Sequence, residues 1–405
     1  MNFYQSEFLN EHCHSILAFY DPRVDDPSGG FFQNYYDNGD VFDPGFRQLV
    51  SSTRLVVNYA LAGLHFDRED YRIRARRGLD YVEQVHWRED EHLYAWTLRD
   101  HEPDDKTQQA YGYAFVLLAY AACRKAGIID NDEPLHRTYE LLEQRFWQAD
   151  YGLYADELSA AGVLSDYRGQ NSNMHLCEAM IAAYEASQDL RFLERAKTLA
   201  NNVAFRQADL TGGLIWEHYH PDFSIDWDYN KDDPKNLYRP WGFQPGHQTE
   251  WTKLLLMLHR HDPQPHYLER AKALFDRAWV ASWDAKHGGL VYGFDADGRW
   301  CDDDKYFWVQ AESFAAAALL LQATGNEHYR DCYQQLWQYS WDHFVDHQYG
   351  AWFRLLYRDN RKVSDEKSAA GAKCDYHTLG ACLEVLSIIE NRQADTRPIG
   401  SDPVK

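Results

Sequence analysis

Six times along the chain the same short pattern returns: an acidic residue, a glycine or its equivalent, an alternating aromatic and apolar stretch, then polar turn residues. The segments are DPSGGFFQNYYDNGDV from residue 26, REDEHLYAWTLRDHEP from 88, QADYGLYADELSAAGV from 148, ADLTGGLIWEHYHPDF from 208, DAKHGGLVYGFDADGR from 284 and DHQYGAWFRLLYRDNR from 346. With Gly30, His92, Gly152, Gly213, Gly289 and Gly350 aligned, the intervals are 62, 60, 61, 76 and 61 residues. The long interval holds an insertion, SIDWDYNKDDPKNLYRP, at 224–240. A repeat of this length limits the chain to architectures built by stacking one supersecondary unit.

Between the hairpin patterns lie helical ones. In the fourth unit Trp251, Leu254, Leu255 and Leu258 recur at helical spacing, as do Tyr267, Ala271, Leu274 and Ala278. Each unit therefore reads as two helices followed by a β-type hairpin, giving about twelve helices. A lone helical pair cannot bury both faces, so neighbouring pairs must share a core. Six pairs closing into a ring make an all-α (α/α)6 barrel, with short hairpins at one end. An open α-solenoid uses the same pattern, but six units and strongly apolar inner helices favour closure. Residues 1–392 are expected to form one barrel domain, and 393–405 a disordered tail.

In such a barrel every hairpin joins the end of an outer helix to the start of an inner one. The hairpins and six inner-helix N-termini gather at one end, with unpaired N–H groups and positive dipole ends suited to an oxyanion. The residues starting the even-numbered helices are chemically distinctive. They are Arg54; Gln108 and Gln109; Asn171 and His175; His247 and Glu250; Trp308 and Glu312; and His377. A single histidine at a helix start is usually a cap or a satisfied core residue. Three at corresponding points of a repeat point to a shared cavity. Glu250, three residues after His247, is placed to bond that imidazole and fix its tautomer, or simply to complement the helix dipole. Glu178 stands in the same relation to His175, whereas the helix-12 motif has Gly380 there. Arg54 reads equally as a substrate contact or a structural ion-pair partner. Trp241 and Trp308 read as sugar-stacking walls or as packing.

The remaining composition excludes more than it selects. The 14 Trp, 28 Tyr and 20 Phe suit stacking on sugar C–H faces but also fill cores. A formal charge of −22 argues against nucleic acid or an anionic membrane as partner. Seven cysteines without a C-x-x-C pair, no signal-peptide pattern and no spanning apolar run lead to the expectation of a cytoplasmic protein. Histidines and carboxylates are also metal ligands, yet H-x-x-E placed singly on different helices lacks the H-E-x-x-H spacing. Neutral histidines beside helix N-termini are suited to moving a proton on the carbon next to a carbonyl. An open-chain aldose poses that problem at C2.

The sequence resembles the N-acylglucosamine 2-epimerase superfamily over about residues 5–392. Its marks here are Arg54, N-x-N-M-H at 171–175, P-G-H-x-x-E-W at 245–251 and Y-H at 376–377. P-G-H-Q-T-E-W and D-Y-N-K-D-x-P at 228–234 are most similar to the aldose–ketose isomerase branch, with mannose and sulfoquinovose isomerases. The resemblance implies that His247 and His377 form the acid/base pair, that His175 opens the sugar ring and that Glu250 holds His247. It implies substrate contacts from Arg54, Asn171 and Trp308, with Glu312 a looser match. It also implies no metal or other cofactor and no ATP effector. The expected reaction is D-mannose to D-fructose, with D-lyxose and D-xylulose as a second pair, on a monosaccharide held by a monomer or homodimer. A sugar 2-epimerase or sulfoquinovose isomerase is the alternative; for the latter, Arg239 would receive the sulfonate or else brace the insertion. An (α/α)6 glycoside hydrolase would need two flanking carboxylates, for which Asp226, Asp228 and Asp302 to Asp304 are candidates. A helical-repeat binding protein would need an open groove.

Overall fold

The computed structural model describes residues 1–369 and 373–395. Among them are twelve helices of eleven residues or more. The outer set is α1 (Ser6–Tyr20), α3 (Glu69–Tyr81), α5 (Glu133–Arg145), α7 (Leu190–Ala200), α9 (Pro265–Ser282) and α11 (Glu327–His343). The inner set is α2 (Leu49–His65), α4 (Ala110–Lys125), α6 (Gln170–Ser187), α8 (Pro245–His261), α10 (Phe307–Thr324) and α12 (Tyr376–Asp395). A π-helical stretch, Asn201–Gln207, and a final turn, Ala208–Leu210, prolong α7. The tail expected from residue 393 lies outside the described residues beyond Asp395, where α12 ends.

The two sets differ in sequence for a physical reason. An inner helix has neighbours on every side, so it is apolar all round. In α10, Phe314 and the alanines at 315–318 are all fully buried. An outer helix buries one stripe; α5 buries only Leu135, Thr138 and Leu142. The inner helices pack in the cyclic order α2, α4, α6, α8, α10, α12 and back to α2. That last contact closes the ring and excludes the open solenoid. Each inner helix also packs on the outer helix that follows it, while α12 takes α1 as its outer partner. No helix among the described residues is long and apolar enough to cross a membrane.

The aligned glycines mark a real structural position. Gly30, His92, Gly152, Gly213, Gly289 and Gly350 all have positive φ, between 54° and 95°. The tight turn of each hairpin needs a left-handed residue, which glycine adopts freely and a side-chain-bearing residue adopts at a cost of about 1–2 kcal/mol. His92 is the one position of the six that carries this cost.

Three hairpins are clamped to the inner helix that follows. The Asn173 amide brackets Tyr154 N–H and C=O (2.8 and 2.9 Å), Gln248 brackets Ile215 (2.9 and 2.8 Å), and Gln310 brackets Leu290 (2.9 Å each). The segment leading into each inner helix also pairs antiparallel with the next hairpin. Phe46–Gln48 pairs with Thr97–Arg99, Gln108–Gln109 with Glu157–Leu158, Arg168–Gly169 with His218–Tyr219, and Lys305–Tyr306 with Leu355–Leu356. Phe243 bridges to Phe294. Tyr35–Tyr36 pairs with Glu366–Ser368, so the ribbon ring closes where the helix ring does. These ribbons hold the inner-helix N-termini around one opening.

Candidate active site

A cavity of about 720 Å³ opens at the hairpin end of the barrel. The side chains reaching it come from two tiers of the inner helices. The upper tier is the second or third helical residue: Tyr111, Asn171, His247, Trp308 and His377. One turn deeper, at the sixth residue, stand Arg54, His175 and Glu250; the sixth residues of α4 and α10, Phe115 and Glu312, do not line the cavity. His175 is therefore not level with His247 and His377 but lies below them. Gln109 reaches the cavity from the strand before α4, not from the helix itself.

Each of the three histidines is buried, and each turns Nδ1 to its own carboxylate. His175 Nδ1 bonds Glu178 Oε2 at 3.0 Å, His247 Nδ1 bonds Glu217 Oε2 at 2.9 Å, and His377 Nδ1 bonds Glu312 Oε1 at 2.7 Å. A carboxylate acceptor places the imidazole proton on Nδ1 and leaves Nε2 as the lone-pair nitrogen. Burial pushes His175 down to about 4 and also lowers His377, so both are neutral at pH 7. Trp308 lies between the upper two rings, 5.1 Å from His247 and 5.7 Å from His377 between centroids. The His175 and His377 rings are 6.3 Å apart.

Two expected roles need correction. Glu250 does not hold His247. Helical side chains lean toward the N-terminus, so the His247 ring tips toward the mouth, where the preceding hairpin delivers Glu217. Glu250 sits a turn below, 3.9 Å from His175 Nδ1, with neither carboxyl oxygen hydrogen-bonded to protein. Burial, with the Glu312 carboxylate beside it, pushes Glu250 well above the usual carboxylate range and favours its protonated form. Glu312 in turn does not line the cavity; it stands behind His377.

Trp241 is also displaced from its expected place. Its indole N–H donates to Trp227 C=O at 2.7 Å, and its ring packs edge-on against Trp216, away from the cavity lining. Trp227 and Trp241 brace the insertion instead. Arg54, Asn171 and Trp308 do line the cavity. Arg54 has no carboxylate within 4 Å among the described residues, which removes its ion-pair reading. It donates to Tyr111 Oη at 2.8 Å and lies 4.3 Å over the Phe115 ring. Asn171 Oδ1 is buried without a protein partner, so it is available to a ligand hydroxyl.

Glu217 is the functional candidate that the sequence reading missed. It stands four residues after the left-handed Gly213, and Asp156 stands four after Gly152. Trp96 and Arg354 hold the same offset from His92 and Gly350, and all four line the cavity. That offset within the repeat is the signal that finds it.

The insertion overhangs the mouth through Tyr229, Asn236 and Tyr238. Arg239 within it stacks 3.9 Å from the Tyr167 ring centroid and donates to Glu157 Oε2 at 3.0 Å and Tyr229 Oη at 3.1 Å. It braces the insertion and is already neutralised. At the other end Lys235 sits among Asp302, Asp303 and Asp304 at 3.0–3.4 Å, filling that acidic cluster with its ammonium.

A sequence model of N-acylglucosamine 2-epimerase matches residues 30–381. The chain belongs to the N-acylglucosamine 2-epimerase family. Within that family it is 50% identical over 384 residues to a D-mannose isomerase of Marinomonas mediterranea, covering 94% of this chain and 97% of that one. A crystal structure of D-mannose isomerase superposes with a TM-score of 0.94 at 50% identity, covering 96% and 99% of the two chains. The cellobiose 2-epimerase of Bacillus thermoamylovorans shares the fold, with a TM-score of 0.83 at 18% identity over 95% of this chain and all of that one. The (α/α)6 barrel read from the repeat is thus the architecture of the N-acylglucosamine 2-epimerase family.

Proposed function

We propose that this chain is an aldose–ketose isomerase acting on a monosaccharide, interconverting D-mannose and D-fructose through a cis-enediol. The observation that carries the reading is one cavity faced by three carboxylate-paired histidines, in a chain half identical to a D-mannose isomerase along almost its whole length.

The chemistry needs no external oxidant or reductant. His175, neutral and deepest, accepts the anomeric hydroxyl proton while the ring oxygen gains one, which opens the ring. In the open form the C2–H is acidic because C1 is now an aldehyde. One of His247 and His377 takes that proton at Nε2, leaving an enediolate with its charge on O1; the other takes the O2 proton at its own Nε2 and passes it to O1. Return of the first proton to C1 completes the ketose. Arg54, Asn171 and the α8 and α12 N-termini face the oxygens on which charge develops, and such fixed dipoles typically contribute several kcal/mol to a barrier. Carboxylates behind the imidazoles stabilise each imidazolium as it forms.

The metal reading loses ground on donor chemistry. His175, Glu178 and Glu250, and again Glu250, Glu312 and His377, come within ligating distance of one another. Lys253, however, already sits against Glu178 and Glu312. The sulfoquinovose reading loses its proposed anion partner, since Arg239 is paired with Glu157. A 2-epimerase remains the second reading, because the same histidine pair returning the proton to the opposite face of C2 would produce D-glucose. Incubation of the purified protein with D-mannose, followed by chromatographic product analysis, separates the two. D-fructose is expected as the main product; D-glucose without a ketose would contradict the isomerase reading.

A further inference from the structure

Lys253 lies one turn below Glu250 on α8 and is buried, an uncommon setting for a lysine. Its ammonium is 2.6 Å from Glu312 Oε2 and 3.5 Å from Glu178 Oε1. The other oxygen of each carboxylate is the one bonded to a histidine: Glu312 Oε1 to His377 and Glu178 Oε2 to His175. A single buried cation thus stands behind two imidazoles from two different helices. An ion pair serving the fold alone would have no reason to place both its carboxylates against cavity histidines. We propose that Lys253 is a positioning residue for the reaction, tying Glu178 and Glu312 together so that His175 and His377 keep their Nε2 atoms toward the sugar.

The charge balance around it is closed on every side. From α6 come His175 and Glu178, from α8 Glu250, from α10 Glu312, from α12 Tyr376 and His377, and from α2 Arg54. Burial disfavours a charged lysine here, but the Glu312 and Glu178 carboxylates outweigh it and hold Lys253 protonated. Lys253 in turn keeps Glu178 and Glu312 ionised against their own burial. The third carboxyl, Glu250, makes no hydrogen bond to protein, and burial with the Glu312 carboxylate pushes it well above the usual carboxylate range despite Lys253. Removing the ammonium therefore raises the proton affinity of His377, on which Lys253 acts to lower it. The imidazole then stays charged to higher pH, and the acid limb of the activity profile moves upward.

The inference rests on the acid/base reading of the histidines. Lys253→Met removes the charge at similar length, and Lys253→Arg keeps it. In Lys253→Met, kcat is expected to fall about ten- to a hundredfold, as for other residues that orient a catalytic histidine. KM should change far less, and the acid limb of kcat should shift to higher pH. Lys253→Arg should recover most of the lost kcat and return the limb to its original position. A Lys253→Met enzyme that melts like the wild type and keeps its kcat and pH profile would overturn the proposal. So would one that loses kcat with the acid limb unmoved. Where Lys253→Met does not fold, Lys253→Arg decides: a folded arginine variant with a displaced acid limb counts against the role, and one with the original limb supports it. His377→Asn is the control, since turnover surviving in that variant would mean failure of the acid/base reading itself, whatever Lys253 does.

Discussion

Replacing His377 or His247 by asparagine is expected to lower kcat on D-mannose by about 10²–10⁴-fold, the range in which a positioned acid or base contributes. Binding should suffer much less, because Arg54, Asn171 and Trp308 still line the cavity. The two histidines work on the same enediol, so the double variant should be little slower than the worse single one. Steady-state kinetics on the three proteins, with melting temperatures as a check on folding, measure this. Turnover within about threefold of wild type in either variant would be far below the loss expected for a lost proton-transfer group and would remove that histidine from the mechanism.

The second large effect falls on Glu217. Glutamine there keeps the shape but loses the charge, so Nδ1 of His247 is no longer fixed as a donor and the imidazolium loses its counter-charge. A hydrogen bond to a charged group contributes about 1.5–3 kcal/mol, which corresponds to a kcat loss of roughly ten- to a hundredfold. Glu250→Gln should cost less, because burial and the Glu312 carboxylate favour the protonated carboxyl at that site, which an amide resembles. The order of the two losses is the informative quantity. A more severe effect from Glu250→Gln than from Glu217→Gln would return the orienting role to the residue three positions after His247.

The repeat made the architecture readable because it carries two independent signals. One is the left-handed residue of each hairpin, and the other is the all-round apolar inner helix; both follow from local sterics and burial. The same register brought Arg54, His175, His247, Trp308 and His377 to one end of the barrel. Helical spacing was less informative about pairing. It correctly joined Glu178 to His175, where both groups lie on one helix, but it suggested Glu250 for His247. Glu217 arrives from a hairpin thirty positions away, and nothing within α8 announces it. Lys253 shows why burial matters beyond pattern: in WTKLLL it reads as a lysine reaching for water, and only the closed ring places it among carboxylates. Trp241 misled for the opposite reason, since its neighbours in sequence line the mouth while its own ring turns back onto Trp216.

Proton transfer through the histidine pair is tested most directly by converting D-mannose in D2O and following the sugars by ¹H NMR over many turnovers. Solvent deuterium is expected to accumulate at C1 of D-fructose and at C2 of the remaining D-mannose, and to do so at neither position with His247→Asn or His377→Asn. D-fructose that keeps the original C2 hydrogen wholly at C1, with no deuterium however long the incubation, would show a hydride shift and contradict the enediol route.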